Sequence, residues 1–318
     1  MKARKRTLAF ALGGGGARGA LQAGALRALL EAGIQPDLLA GASIGAVNAV
    51  FLAMHGFTPQ ALDKLDAAWF AAAKAELFPA NIVWLTLRVF FNRVRAVPYQ
   101  RIKDFFISQG LAPDLCFGDL PYLPIVLVSA DLNSHQTIYY GSDPQESVLE
   151  GLLASTALPP WVHPIESNGR FLMDGGVVSN LPIEPAISQG ASEVIALGLS
   201  NPDEIDPNAH GFGPFWAKYL NIVEARQIYL ELELARAKGV PVHVVNLKTV
   251  SPVPAWDFSR TQSLLDDGYR QMKSVLDSGE IPLTRQTEGW FIPLKRLFAS
   301  WGKEQNHAEL PRQRHHSG

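Results

Sequence analysis

The sequence predicts an α/β protein with a mainly parallel central sheet layered with helices. Three observations carry that reading. Short apolar runs recur at 7–12, 37–42, 125–129, 193–199 and 242–246, as expected of strands buried on both faces. Stretches with apolar residues at helical spacing alternate with them. The first two runs also end in glycine-bounded turns that feed straight into helical stretches, Gly13 to Gly19 and Gly41 to Gly45.

The elements follow in order. Residues 7–12 form the first strand, bounded by glycines. Residues 18–32 place Leu21, Ala25, Leu29 and Ala32 at helical spacing, and Gly33 stops that helix. Asp37 to Ala42 is the second strand; Ser43 follows, then a small-residue helix from Ile44 to Ala53. Thr58-Pro59 opens a helix reaching Ala75. Further strands fall at 125–129, 136–140, 171–173, 193–199 and 242–246, and helices at 145–155, 182–189, 214–238 and 261–277. There is no internal repeat.

Composition narrows the function classes. Of 318 residues, 47% are apolar and 18% charged, enough for a large core and unlike a disordered chain. The net charge of −2 shows none of the basic excess of a nucleic-acid binder, so no nucleic-acid partner is expected. A lone cysteine, Cys116, excludes an intrachain disulfide framework and a cysteine-cluster metal site. Residues 7–12 are too short for the apolar core of a signal peptide, and no run reaches the roughly 18 apolar residues of a membrane span. A cytoplasmic or peripheral membrane protein is expected.

Two segments depart from the α/β pattern. Residues 79–98 interleave Trp84, Leu87, Phe90 and Phe91 with Arg88, Arg93 and Arg95, and residues 290–301 combine Trp290, Phe291, Leu294, Phe298 and Trp301 with Lys295 and Arg296. Such stripes suit a peripheral membrane contact. They equally suit packing on the core or pairing in a homodimer.

The chemistry-bearing residues gather in three places. Gly13 to Gly16, Ala17, Arg18 and Gly19 lie between a strand and a helix. Gly14, Gly16 and Gly19 meet the spacing of a dinucleotide-binding fingerprint, but Asp37 stands at the start of the second strand, and its end carries Ser43 instead of the ribose-binding acid. Consecutive glycines at a helix start bring amide N–H groups together without Cβ interference, a nest for a phosphate or for the oxyanion of an acyl-transfer intermediate. Gly41-Ala42-Ser43-Ile44-Gly45 is a G-x-S-x-G nucleophile elbow in its strand–turn–helix context. Asp174 closes a short apolar strand and precedes Gly175 and Gly176, where an apolar setting would strengthen it as a base. Of the histidines after the elbow, His55, His135, His163, His210 and His243, none stands in a distinctive motif.

Taken together, Gly14-Gly15-Gly16-Ala17-Arg18-Gly19, Gly41-Ala42-Ser43-Ile44-Gly45, Asp174-Gly175-Gly176 and the block Ala154-Ser155-Thr156-Ala157-Leu158-Pro159 resemble the patatin-like phospholipase family over residues 7–200. Gly13 departs from plant members, which carry aspartate there. The resemblance implies a three-layer α/β/α fold and lipid acyl hydrolysis without a cofactor, metal or catalytic histidine. It implies Ser43 as nucleophile, Asp174 as direct base and the amides of Gly14, Gly15 and Gly16 as the oxyanion hole. Gly19, Gly41, Gly45, Gly175 and Gly176 would shape the turns. Arg18 would serve a structural or phosphate-facing role in the glycine loop, or stand as an exposed cation at the helix start. The expected organisation is a basic extension (1–6), a catalytic core (7–200), the remainder of the α/β domain (201–283), and an amphipathic segment with a polar tail (284–318). The expected partner is a lipid or acyl-ester substrate. A silent binding protein on the same fold and a nucleotide-binding protein are the competing functions.

Overall fold

The computed structural model describes residues 6–75, 77, 99–158, 162–201 and 212–281. The amphipathic segments 79–98 and 290–301, and His210, lie outside the described residues. One 8-stranded sheet organises the fold. Its strands are β1 (Leu8–Leu12), β2 (Leu38–Ala42), β3 (Ile125–Asp131), β4 (Thr137–Tyr140), β5 (Ile165–Ser167), β6 (Arg170–Asp174), β7 (Glu193–Ser200) and β8 (Val242–Lys248). They run in the order β5-β6-β3-β2-β1-β7-β8, with β4 also on β3. The pairs from β3 through β2, β1 and β7 to β8 are parallel; β4, β5 and β6 join antiparallel.

Helices cover both faces, so the expected three layers are present. Strand alternation decides which side chain meets which layer. Phe10 and Leu12 face a core shared with α1 (Ala20–Glu31), α2 (Ile44–His55), α3 (Pro59–Lys74), α4 (Tyr99–Ser108), α5 (Val148–Ser155) and a late helix, Thr261–Asp277. Ala9, Ala11, Ala40 and Ala196 face the other core. There, small side chains let α7 (Ile183–Ser188) and α8 (Phe212–Ala237) approach closely. A single turn of helix, α6 (Gly176–Ser179), precedes α7, and Thr261–Asp277 is α9.

The edge of β3 shows how distant residues meet. Ala42 pairs with Val128, after which β2 ends. On the opposite edge β4 pairs with Leu127 to Ala130. Since β6 pairs with Ser129, Ala130 and Asp131, it must lie in the lane that β2 has vacated, and its last residue, Asp174, sits opposite Ser129. The end of β6 therefore abuts the end of β2.

Three elements went unread in the sequence: β5, α4 and the single turn α6. The three-residue β5 joins β6 through Asn168 and Gly169, both at positive φ (50° and 74°), the Asn-Gly hairpin that right-handed strand twist favours. Helix α4 carries Tyr99, Ile102, Phe105, Phe106 and Ile107, of which Ile102 and Phe106 are buried.

The helix pair α1 and α9 packs through glycines. A Cβ on Gly24 would lie 1.9 Å from the Leu265 carbonyl oxygen, and one on Gly268 would lie 1.9 Å from that of Leu21. Backbone cannot yield as a side-chain tip can. Gly268→Ala should therefore cost about 1–3 kcal/mol and lower the melting temperature by about 2–12 °C. A melting curve within a degree or so of wild type would show that this close approach is not required.

Candidate active site

Ser43 stands where β2 leaves the sheet and α2 begins. Its φ of 52° and ψ of −124° are strained for a residue with a side chain. The sharp turn depends on near neighbours lacking side chains: a Cβ on Gly45 would fall 2.0 Å from the Leu12 carbonyl oxygen, and one on Gly41 2.6 Å from Ala46 Cα. Ser43 donates its backbone N–H to Ser155 Oγ at 3.1 Å, so the C-terminal end of α5 braces the turn.

The hydroxyl donates to Asp174 Oδ2 at 2.6 Å across 131 residues of sequence. The second carboxylate oxygen, Oδ1, accepts the Gly176 N–H at 2.8 Å, and the Asp174 N–H donates to Ala157 O at 2.9 Å. Gly175 lets this turn lie on β3, for a Cβ there would meet the Val128 carbonyl oxygen at 2.2 Å. Asp174 is 2% exposed. Burial pushes its carboxyl up to about 6, against the opposing hydrogen bonds from Ser43 and the Gly176 amide. A carboxylate so placed can take a proton directly from the serine it touches.

The glycine loop arranges its peptides one by one. A trans peptide points its C=O and N–H in opposite directions, so fixing one fixes the other. Gln22 Nε2 holds the Gly13 carbonyl at 2.9 Å, and the Gly14 N–H on the same peptide donates to Asn180 O at 3.0 Å. Arg18 Nε holds the Gly15 carbonyl at 3.0 Å, which aims the Gly16 N–H the other way. The Ala17 N–H donates to Ala255 O at 2.7 Å. Among the described residues, the amides of Gly15 and Gly16 have no hydrogen-bond partner. The expectation of three oxyanion donors is thus corrected for Gly14, whose amide is already engaged. Arg18 is partly buried and acts on the loop itself, so it is not an exposed cation.

Behind the loop lies a buried polar network that the motifs did not reveal. Asn48 Nδ2 donates to Gly19 O at 3.1 Å and to Gln22 Oε1 at 3.0 Å, while Trp69 Nε1 donates to Asn48 Oδ1 at 3.1 Å. Gln22 Nε2 also reaches Leu197 O at 3.0 Å. Gly19 permits this closeness, since a Cβ there would strike Ile44 and the Trp69 ring within 2.9 Å. The signal was present: Gln22 and Asn48 are isolated polar residues in otherwise apolar helical stretches.

Ser43, Asp174 and Gly16 open onto a cleft. Its wall is mostly apolar and includes Ile44, Val47, Phe51 and Met54, one face of α2 leading away from Ser43, with Leu65 and Trp69 of α3. None of the described histidines lines the cleft; His55, at the end of α2, packs its ring against Phe51 at 4.5 Å between centroids. His243 is buried against Glu193 at 3.0 Å near the strand starts, His163 is exposed, and His135 sits in the β3–β4 turn. Asp37 likewise belongs to that opposite edge, accepting the Leu8 N–H at 2.9 Å, so it does not meet the glycine loop where a ribose would need an acid. Among the described residues no group of three or more His, Cys, Asp and Glu converges to hold a metal ion, and no helix is long and apolar enough to cross a membrane.

Comparison with known proteins follows this geometry. The lysophospholipase NTE1 of Phaeosphaeria nodorum is 27% identical over 89% of this chain and 19% of its own length. The patatin-like phospholipase domain-containing protein 6 of Pongo abelii is 30% identical over 85% of this chain and 20% of its own. The chain thus spans about a fifth of these relatives. Among solved structures, VipD from Legionella pneumophila matches 87% of this chain and 67% of its own, at 17% identity and a TM-score of 0.46. The family model described as patatin-like phospholipase matches residues 10–187, more than half of the sequence and the stretch that carries the elbow, the glycine loop and Asp174. The chain belongs to the patatin-like phospholipase family.

Proposed function

We propose that this chain is a serine acyl hydrolase that cleaves fatty-acyl esters of phospholipids through Ser43 and Asp174. One observation carries the reading: the 2.6 Å hydrogen bond from Ser43 Oγ to Asp174 Oδ2, at the mouth of an apolar cleft. Ser43 Oγ attacks the ester carbonyl as its proton passes to Asp174. The tetrahedral oxyanion is held by the Gly15 and Gly16 amides. Asp174 returns the proton to the departing alcohol, leaving the acyl group on Ser43. It then takes a proton from water, whose hydroxide attacks the acyl-enzyme, and the fatty acid leaves as Ser43 is reprotonated. The acyl chain lies along the Val47, Phe51 and Met54 face of α2. The names of the relatives favour lysophospholipids as the substrate class. An enzyme of this kind works at a lipid surface, and segments 79–98 and 290–301 have the composition for that contact.

The nucleotide-binding alternative lacks its ribose-binding acid. A silent binding protein on the same fold is separated by the chemistry of Ser43. A fluorophosphonate probe should label wild type at Ser43 and leave Ser43→Ala unlabelled. Ser43→Ala and Asp174→Asn should each lower ester hydrolysis by about a thousandfold or more, while Ala at His55, His135, His163, His210 or His243 should retain most activity. A histidine as essential as Ser43 would replace the dyad with a triad, and an unreactive Ser43 would leave only the binding protein.

The pH profile follows from the raised carboxyl. A base must be ionised, so kcat/KM should rise tenfold per pH unit below about 6 and level off above it. An acid limb centred near pH 4, or none, would contradict Asp174 as the base. For the loop, Gly15→Ala is the discriminating change, because the nearest atoms its Cβ would meet, at 2.9 Å, belong to the Leu199 side chain and not to backbone. It should lower kcat about a hundredfold with the fold intact. Loss of nucleotide binding with hydrolysis untouched would make the loop a phosphate cradle.

A further inference from the structure

Helix α8 lies beyond the family match at residues 10–187, yet it grips the segment that follows Asp174. Three polar residues on one face do so. Glu224 Oε1 accepts from Asn180 Nδ2 at 2.6 Å, Gln227 Nε2 donates to Val177 O at 2.5 Å, and Glu231 accepts from Ser179 Oγ at 2.6 Å and from the Ile183 and Glu184 amides at 2.8 and 2.9 Å. Their spacing of three and four residues places them on one stripe of the helix. Glu231 thereby anchors the start of α7.

Glu224 reaches further than its neighbours. Its partner Asn180 is the residue whose carbonyl holds the Gly14 amide. Asn180 Oδ1 lies 2.8 Å from where a Cβ on Gly176 would stand and 2.4 Å from one on Gly14, so this side chain is wedged between the Asp174 turn and the glycine loop. The Arg18 guanidinium that holds the Gly15 carbonyl feels the charge of Glu224 without pairing with it directly. Burial pushes the Glu224 carboxyl up from its ordinary range, while the Asn180 amide and the Arg18 cation favour its charged form. One side chain thus engages both the residue behind the base and the residue that aims an oxyanion donor.

We infer that Glu224 is a positioning residue: its hydrogen bond holds Asn180 between the Asp174 turn and the glycine loop, and its charge acts on Arg18, so that the oxyanion amides are fixed relative to Ser43. The inference rests on the reading of Ser43 and Asp174 as a dyad. Glu224 touches neither the serine nor the cleft wall described above, so its effect belongs in the reaction step rather than in substrate binding.

The test is a comparison of Glu224→Ala, which removes the Asn180 hydrogen bond and the charge together, with Glu224→Gln, which keeps an acceptor for Asn180 and removes only the charge. Glu233→Ala, at an exposed ion pair with Arg236 on the same helix, serves as the control. Steady-state hydrolysis of a soluble ester and the rate of fluorophosphonate labelling at Ser43 are measured beside thermal melts. The alanine variant should lose about tenfold or more in kcat with KM within about threefold, the labelling rate should fall in parallel, and the glutamine variant should recover part of the loss. The control should match wild type. A labelled wild type with kcat unchanged in Glu224→Ala, or a loss confined to KM, overturns the positioning role and leaves the dyad standing. If the alanine variant does not fold, the isosteric glutamine decides, and wild-type kcat in that variant overturns the inference. An unreactive Ser43 in wild type removes both readings.

Discussion

Two strands share one edge of β3, and the rest of the site depends on how they divide it. β2 holds that edge as far as Val128, and β6 takes it from Ser129 onward. Ser43 and Asp174 are therefore the terminal residues of two chain segments meeting head-on in a single lane. This arrangement brings a hydroxyl and a carboxylate to 2.6 Å without either side chain reaching across the sheet. It also forces β2 to leave abruptly, which is why Ser43 occupies a strained backbone conformation and Gly45 must pass directly under the Leu12 carbonyl. A serine on a gentler turn would point along the sheet rather than at Asp174.

On the proposed reading the glycine loop answers a different requirement, since backbone amides serve as donors only if their peptides are held. For Gly14 and Gly16 the carbonyl end of the peptide supplies the handle. Gln22 and Arg18 take the Gly13 and Gly15 carbonyls, and Asn48 takes that of Gly19. Gln22 and Asn48 are wholly buried, so every polar atom they satisfy would otherwise be an orphan costing about 1–3 kcal/mol. Such a network is rigid because it has few alternative pairings, and rigidity is what preorganised amides need. Glycine removes the Cβ that would block the approach; the buried amides of Gln22 and Asn48 then decide where the approach ends.

How much of this was legible in the sequence differs by kind of signal. The buried strands announced themselves because both faces are covered, and the elbow because a sharp turn leaves a fixed glycine spacing. Ser43 and Asp174 could be named for the same reason. That their strand ends abut could not, because the division of the β3 edge is a matter of register, and register between residues far apart leaves no local mark. The Asn168-Gly169 hairpin was written plainly, but its strands are too short to show periodicity. Gly14 fitted the glycine motif as well as its neighbours did. Only the position of the Asn180 carbonyl separates it from Gly15 and Gly16. Glu224 carried no signal at all, for a single acid on a long helix ordinarily faces water.

The absence of a histidine from the motifs has a physical counterpart in the burial of Asp174. An exposed aspartate is too weak a base to compete for a serine proton, and an intervening imidazole is the usual remedy. Here desolvation raises the carboxyl to about 6, close to the range in which a histidine would work. Keeping that group ionised at neutral pH costs about 3 kcal/mol relative to an exposed aspartate, after the Gly176 amide and the Ser43 hydroxyl have already offset part of the burial penalty. The desolvating surroundings include the cleft itself, which Asp174 lines together with Ile44 and Val47. An acyl chain entering that cleft displaces water from the same wall. On the proposed reading, substrate binding and base strength are then two effects of one apolar surface, and a polar substitution on the near end of α2 would weaken both together.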